Sequence, residues 1–302
     1  MDKRKRGIAL FITLMVIASI MSIIAVSFSY LEKVQKDAGR VSAIIQGDLL
    51  YKNTVDILKR FFPKKRDNSE KLKLIYKMPL ILTEEKSEFN INLNCTPLYT
   101  GVPINWLYKD FSWKNATKRN LAQDVLSMVM DKYSIEEPTE LEQLIMQEIT
   151  TERKENENFT PRVNGKKGIV SKEQFDRIIV NYRLLYDDPK VFLVPWERYF
   201  TFTEVYPDTK IDGVYLTPEF ISVAFDTSIE IVKESWIEGE SSLDSFLKEN
   251  SIIAPIDKNI YSKKALNAMH CEERYAYRDG QYKFNFNYIN GRSANFEFNG
   301  KE

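Results

Sequence analysis

The sequence predicts an α+β fold in which a long N-terminal helix packs on an antiparallel sheet and a large α-helical domain is inserted into that sheet. Three observations predict it. Residues 8–62 contain no proline and pass from an uncharged apolar run into a charged segment with helical periodicity. Segments of alternating apolar residues, the mark of half-buried strands, follow that helix and return near the C-terminal end. Between them the apolar residues recur every three or four positions.

The helix begins with a basic run, Lys3, Arg4, Lys5 and Arg6, then Gly7, then Ile8 to Phe28 without a charge. About 20 apolar residues cross the hydrocarbon core of a bilayer, and a basic flank stays on the cytoplasmic side. Residues 8–28 are therefore expected to form the transmembrane half of the helix, with everything after Tyr30 beyond the membrane. Three processing outcomes compete. A permanent anchor keeps its basic run. A signal peptide is cut after the apolar core, where Ala25-Val26-Ser27 is a passable site, although the run is long for that class. A leader comprising residues 1–7 is cut before the core, which alone gives a reason for the glycine at the junction.

Residues 29–62 form the amphipathic half, with Leu31, Val34, Ala38, Val41 and Ile45 as its apolar stripe. Pro63 and the run Lys64-Lys65-Arg66 end it near Phe62. A coiled-coil stalk is the competing reading, and the stripe is short for a sustained heptad array.

Residues 71–93 should start the sheet. Leu72, Leu74, Tyr76 and Met78 alternate within a strand from Lys71 to Leu82, and Phe89, Ile91 and Leu93 within one from Glu88 to Leu93. Residues 271–302 should complete it. Tyr282–Ile289 and Arg292–Phe298 flank Asn290-Gly291, a pair suited to a type I′ hairpin because both positions need positive φ. Phe284, Phe286 and Tyr288 should share a face, met by Phe296 and Phe298 on the neighbouring strand.

The inserted α-helical domain is expected over residues 97–255, with helices at Asn115–Tyr133, Glu140–Arg153, Lys172–Tyr186, Thr217–Phe225, Ser228–Trp236 and Ser242–Glu249. Thr151 to Lys167, polar and containing Pro161 and Gly165, should be an exposed loop, and Asp187-Asp188-Pro189 a helix-ending turn.

Forty-three basic residues balance 43 acidic ones, so no basic field points to nucleic acid. A 43% hydrophobic and 13% aromatic chain should fold rather than remain disordered. Cys95 and Cys271 are the only cysteines. In an oxidising compartment they could form a disulfide worth roughly 2–4 kcal/mol; two buried free thiols fit the same spacing. His270, the one histidine, adjoins Cys271 without any metal-ligand spacing. No Gly-rich phosphate loop, HExxH, CxxC or GxSxG is present, so no catalytic residue and no enzyme activity is expected.

Lys5-Arg6-Gly7 followed by Ile8-Ala9-Leu10-Phe11 resembles the prepilin peptidase site, where cleavage follows the glycine and the new N-terminal residue is methylated. Gly7 and Ile8 would flank the cut. Ile12 would then hold the fifth mature position, where most pilins and pseudopilins carry glutamate. Absence of that glutamate is the usual mark of the K-type minor pseudopilin of type II secretion systems, the general secretion pathway protein K family, which this chain resembles. A main subunit's glutamate is thought to pair with the terminal ammonium of the subunit ahead, and a tip subunit has none ahead. An apolar residue there is also what plain anchoring favours.

The resemblance implies a pilin-like fold carrying an inserted helical domain, the same order as that read here. Phe89-Asn90-Ile91-Asn92 resembles the family's asparagine-rich stretch before the insertion, Val170 to Thr203 the close of the first helical unit, and Lys210 to Glu219 the start of the second. Asp131, with Glu136 and Glu137 nearby, matches a family acidic loop implicated in calcium binding; solvated surface acids are the competing reading, because calcium takes six to eight oxygens. No other cofactor is implied. The implied partners are other minor pseudopilins, the prepilin peptidase, the inner-membrane secretion platform, the secretin or cargo, and membrane lipid, with the body in the periplasm. A minor pilin of a type IV pilus or competence system and a membrane-tethered periplasmic receptor are the alternatives.

Overall fold

The computed structural model describes residues 3–64, 66–83, 90–112, 115–151, 168–253, 257, 259–277 and 280–301. The chain divides into two compact units, Met1–Asn53 and Thr54–Glu302. Helix α1 (Lys3–Phe61) supplies the first and opens the second. Leu31, Val34, Val41 and Ile45 of the expected stripe lie on the helix of the first unit.

The second unit has an α+β fold. At the end of α1, Val55 and Leu58 turn inward with Phe62 just beyond, and Pro63 follows as the expected stop. The segment read as a strand from Lys71 is helix α2 (Ser69–Lys77), and strand β1 covers only Leu80–Thr83. The buried residues are Leu72 and Ile75, three apart as a helix face requires, whereas Leu74 is 64% exposed. The switch occurs at Met78, which is extended because Pro79 behind it excludes the helical region.

Strand β2 (Asn90–Pro97) outruns the expected end at Leu93, and Glu88 and Phe89 lie outside the described residues. Strands β5 (Ala268–Tyr277), β6 (Gly280–Ile289) and β7 (Arg292–Lys301) finish the sheet, which starts three residues earlier than residue 271. Strands β3 (Val102–Pro103) and β4 (Phe200–Thr201) form a short parallel pair within the insertion. The main sheet is antiparallel throughout, in the order β1-β2-β5-β6-β7. Asn290 and Gly291 turn the last hairpin with φ of 49° and 86°. Phe284, Phe286 and Tyr288 are fully buried, and Phe296 meets Phe284 with ring centres 5.4 Å apart.

Between β2 and β5 lie α3 (Ala116–Lys132), α4 (Pro138–Thr150), α5 (Lys172–Tyr186), α6 (Pro218–Ala224), α7 (Ile229–Ser235) and α8 (Leu243–Glu249). Five begin on a side chain that accepts from the first-turn amides: Asn115, Ser171, Thr217, Ser228 and Ser242. Their apolar faces form a core of the insertion's own, built around Trp106, Phe175, Tyr182, Phe220 and Phe246. The end of the second predicted helix at Arg153, the loop residues 152–167 and residues 254–255 of the insertion lie outside the described residues.

Candidate functional site: the anchor helix and the root of the insertion

Gly7 and Ile8 lie on α1, whose backbone is helical from Lys3 onward. The apolar part of this helix is long and apolar enough to cross a membrane. Phe11, Leu14, Ile17, Met21 and Phe28 are all more than half exposed. Three serines interrupt the apolar surface, and each donates to the carbonyl one turn back: Ser19 to Met15 at 2.8 Å, Ser22 to Ala18 at 2.9 Å and Ser27 to Ile23 at 2.8 Å. Their hydroxyls therefore need no water, which is the condition for polar groups in hydrocarbon.

The second feature is the neck through which the insertion leaves and rejoins the sheet. Cys95 of β2 and Cys271 of β5 stand opposite each other in register and are joined by a disulfide across a sequence separation of 176. Both are fully buried. Two residues past Cys95 the strand ends, and Leu98 N–H donates to Ala268 C=O at 3.2 Å. Gly101 follows at a point where a β-carbon would lie 2.4 Å from the Tyr199 carbonyl oxygen, so only glycine lets the two backbones meet. Tyr99, Ala268 and Ile289 fill the neck with a small apolar cluster.

Asp212, within the segment read as the start of the second helical unit, braces this neck. Its carboxylate accepts from the amides of Leu266 at 2.7 Å, Val214 at 2.9 Å and Tyr215 at 3.3 Å, and its own N–H donates to the Tyr99 carbonyl at 2.9 Å. Burial raises its pKa to about 7 against the lowering effect of those three donors. On the sheet, Glu273 of β5 accepts from Thr54 of α1 at 2.7 Å, and burial raises it likewise to about 7. No catalytic or metal-binding pattern in the sequence marked these two acids, which become distinctive only through burial.

The acids expected near the end of α3 do not converge. Asp131 is exposed, Glu136 pairs with Lys190 at 3.1 Å, and Glu137 uses its backbone N–H on the Tyr182 hydroxyl at 3.1 Å. Buried Asp188 organises that loop, accepting from the Glu136 amide at 2.9 Å and the Lys190 amide at 3.0 Å. Among the described residues there is no group of three or more His, Cys, Asp or Glu side chains placed to hold a metal ion.

No protein-family model and no curated protein sequence matches the chain. Among solved structures it is similar to a chain of the GspK-GspI-GspJ complex from the enterotoxigenic Escherichia coli type 2 secretion system. The two share 10% identity over 87% of this chain and 98% of that one, with a TM-score of 0.49.

Proposed function

We propose that the chain is a K-type minor pseudopilin, an assembly subunit rather than an enzyme, acting at the tip of a type II secretion pseudopilus. The observation that carries this reading is the continuity of α1 from a membrane-compatible first part to a last part packed on a sheet that is itself split by a helical domain. In this reading, prepilin peptidase cuts between Gly7 and Ile8, Ile8 is methylated, and the apolar helix stays in the inner membrane with the body in the periplasm. The helix associates there with other minor pseudopilins and the secretion platform. The insertion is too bulky to repeat along a shaft, so it caps the tip and faces the secretin or cargo.

The test is the intact mass and N-terminal sequence of the protein taken from its native membrane. A chain beginning at Ile8 and heavier by one methyl group is expected. Retention of Lys3 to Gly7 would make it a tethered receptor, and a start near Phe28 a secreted protein. Deleting the gene separates the subunit types: loss of type II secretion is expected, whereas loss of piliation or DNA uptake alone would indicate a pilus or competence system.

A further inference from the structure

Glu273 stands in the middle strand of the sheet, β5, with its side chain turned toward the end of α1. It is fully buried, and its two carboxyl oxygens meet different surroundings. Oε2 accepts from the Thr54 hydroxyl at 2.7 Å, while Oε1 is buried with no hydrogen-bond partner. Its neighbours on the adjacent strands are Leu93 of β2 and Phe284 of β6, both buried and apolar. Along its own strand the same face carries Cys271, closed in the disulfide, and buried Tyr275.

The charged groups of the surrounding elements are engaged elsewhere. On the last turns of α1, Asp56 and Lys59 pair with each other at 3.1 Å and Arg60 is exposed. On α2, Lys71 donates to the Phe61 carbonyl at 3.0 Å, Lys73 and Lys77 reach Glu240 at 2.9 and 3.4 Å, Tyr76 donates to the Ala268 carbonyl at 3.3 Å, and Glu70 is exposed. Strand β2 carries no titratable side chain besides Cys95. On β5 and β6, Glu272 pairs with Arg274 at 2.8 Å and lies 3.9 Å from Lys283, all three on the opposite face. The titratable groups sharing the face of Glu273 are phenols, Tyr275 and Tyr282, stacked 5.7 Å apart. Burial and the Thr54 hydroxyl are what act on the carboxyl, and burial prevails, raising its pKa to about 7.

Neutral, the acid asks for little: one oxygen shares a hydrogen bond with a hydroxyl that can donate or accept, and the other leaves one acceptor unmet. Ionised, it presents two charged oxygens to a single donor, in an apolar layer where an unmet charge is strongly destabilising. Water would supply the missing donors. Because β5 is hydrogen-bonded to a strand on either side, water gains access only where the helix lifts from the sheet. We infer that Glu273 is a proton-operated clasp: protonated, it lets the last turns of α1, from Thr54 to Phe61, sit closed on the sheet, and ionised, it opens that contact to water. The pH around the body would thereby set how firmly the sheet holds the end of the helix.

The test is amide hydrogen exchange of the full chain in detergent micelles between pH 5 and pH 8, with rates corrected for the intrinsic effect of pH. Protection of the amides from Thr54 to Phe61 should fall by about tenfold or more across that range, because the exposed acid ionises near the ordinary carboxylate value and the closed one only near 7. Helix α5, which packs in the insertion's own core, is the reference. Glu273→Gln keeps an acceptor for Thr54 and cannot ionise, and Glu273→Leu fills the space without a polar group. Either should flatten the α1 profile and leave that of α5 as it was. No fall over α1 in the wild type, a fall that persists in a folded variant, or an equal fall over α1 and α5 that the variants remove from both, would overturn the inference.

Discussion

Glu273 sits in the sheet beneath the end of α1, fully buried, with one carboxylate oxygen bonded to Thr54 and the other without a hydrogen-bond partner in the structure. An ionised carboxylate so placed is destabilising, which is why burial raises its pKa to about 7. The sign follows from linkage. Below its ordinary pKa the acid is protonated in both folded and unfolded chains and has no effect. Between there and about 7 the unfolded chain releases the proton and the folded chain keeps it, so stability falls as pH rises and then levels off. Asp212 contributes in the same direction over the same window. Together the two acids should make the protein more heat-stable at pH 5 than at pH 7.5, each by a contribution on the order of 3 kcal/mol. Thermal melts across that range check this, and Glu273→Gln should flatten the profile; an unchanged slope in the variant would remove Glu273 as a cause. Neither acid was legible beforehand, because the burial that sets it apart comes from segments far away in the chain.

Among the elements, α2 separates two readings of the same residues. As a strand, Leu72 and Leu74 share a face and should matter equally; as a helix, Leu72 is buried and Leu74 is 64% exposed. Leu72→Ala should then cost about 2–5 kcal/mol and Leu74→Ala less than about 0.5 kcal/mol, measured by chemical denaturation. Equal losses would favour the strand. The sequence misled here because apolar residues occupy both faces of so short a segment, leaving its period ambiguous. By contrast, the helix predicted from Lys172 to Tyr186 has those bounds, since Ser171 caps its start and Asp187 adopts the left-handed conformation at its end. Caps are local chemistry and can be read locally. The parallel pairing of β3 with β4 joins segments far apart in the chain, two residues each, and leaves no periodic trace in either.

At the scale of the molecule, the interrupted sheet was legible because strand-like alternation vanished after β2 and returned near the C-terminal end. The partner of each strand was not. The disulfide was left open by the sequence because spacing alone cannot place two sulfurs together; adjacency of β2 and β5 does so. Replacing both cysteines with serine should lower stability by about 2–4 kcal/mol in urea unfolding, and no loss would mean that the sheet hydrogen bonds alone hold the neck. The same arrangement sets an order of events during synthesis. Strand β2 emerges early, yet its neighbour β5 follows only after the whole insertion, so a sheet closing first would have to tether a very long unfolded loop. A folded insertion instead delivers Leu98 and Ala268 already side by side, which removes that entropic barrier. Folding should therefore proceed from the insertion outward, and a chain stopped just before Ala268 would carry a finished helical domain with only β1 and β2 of its sheet.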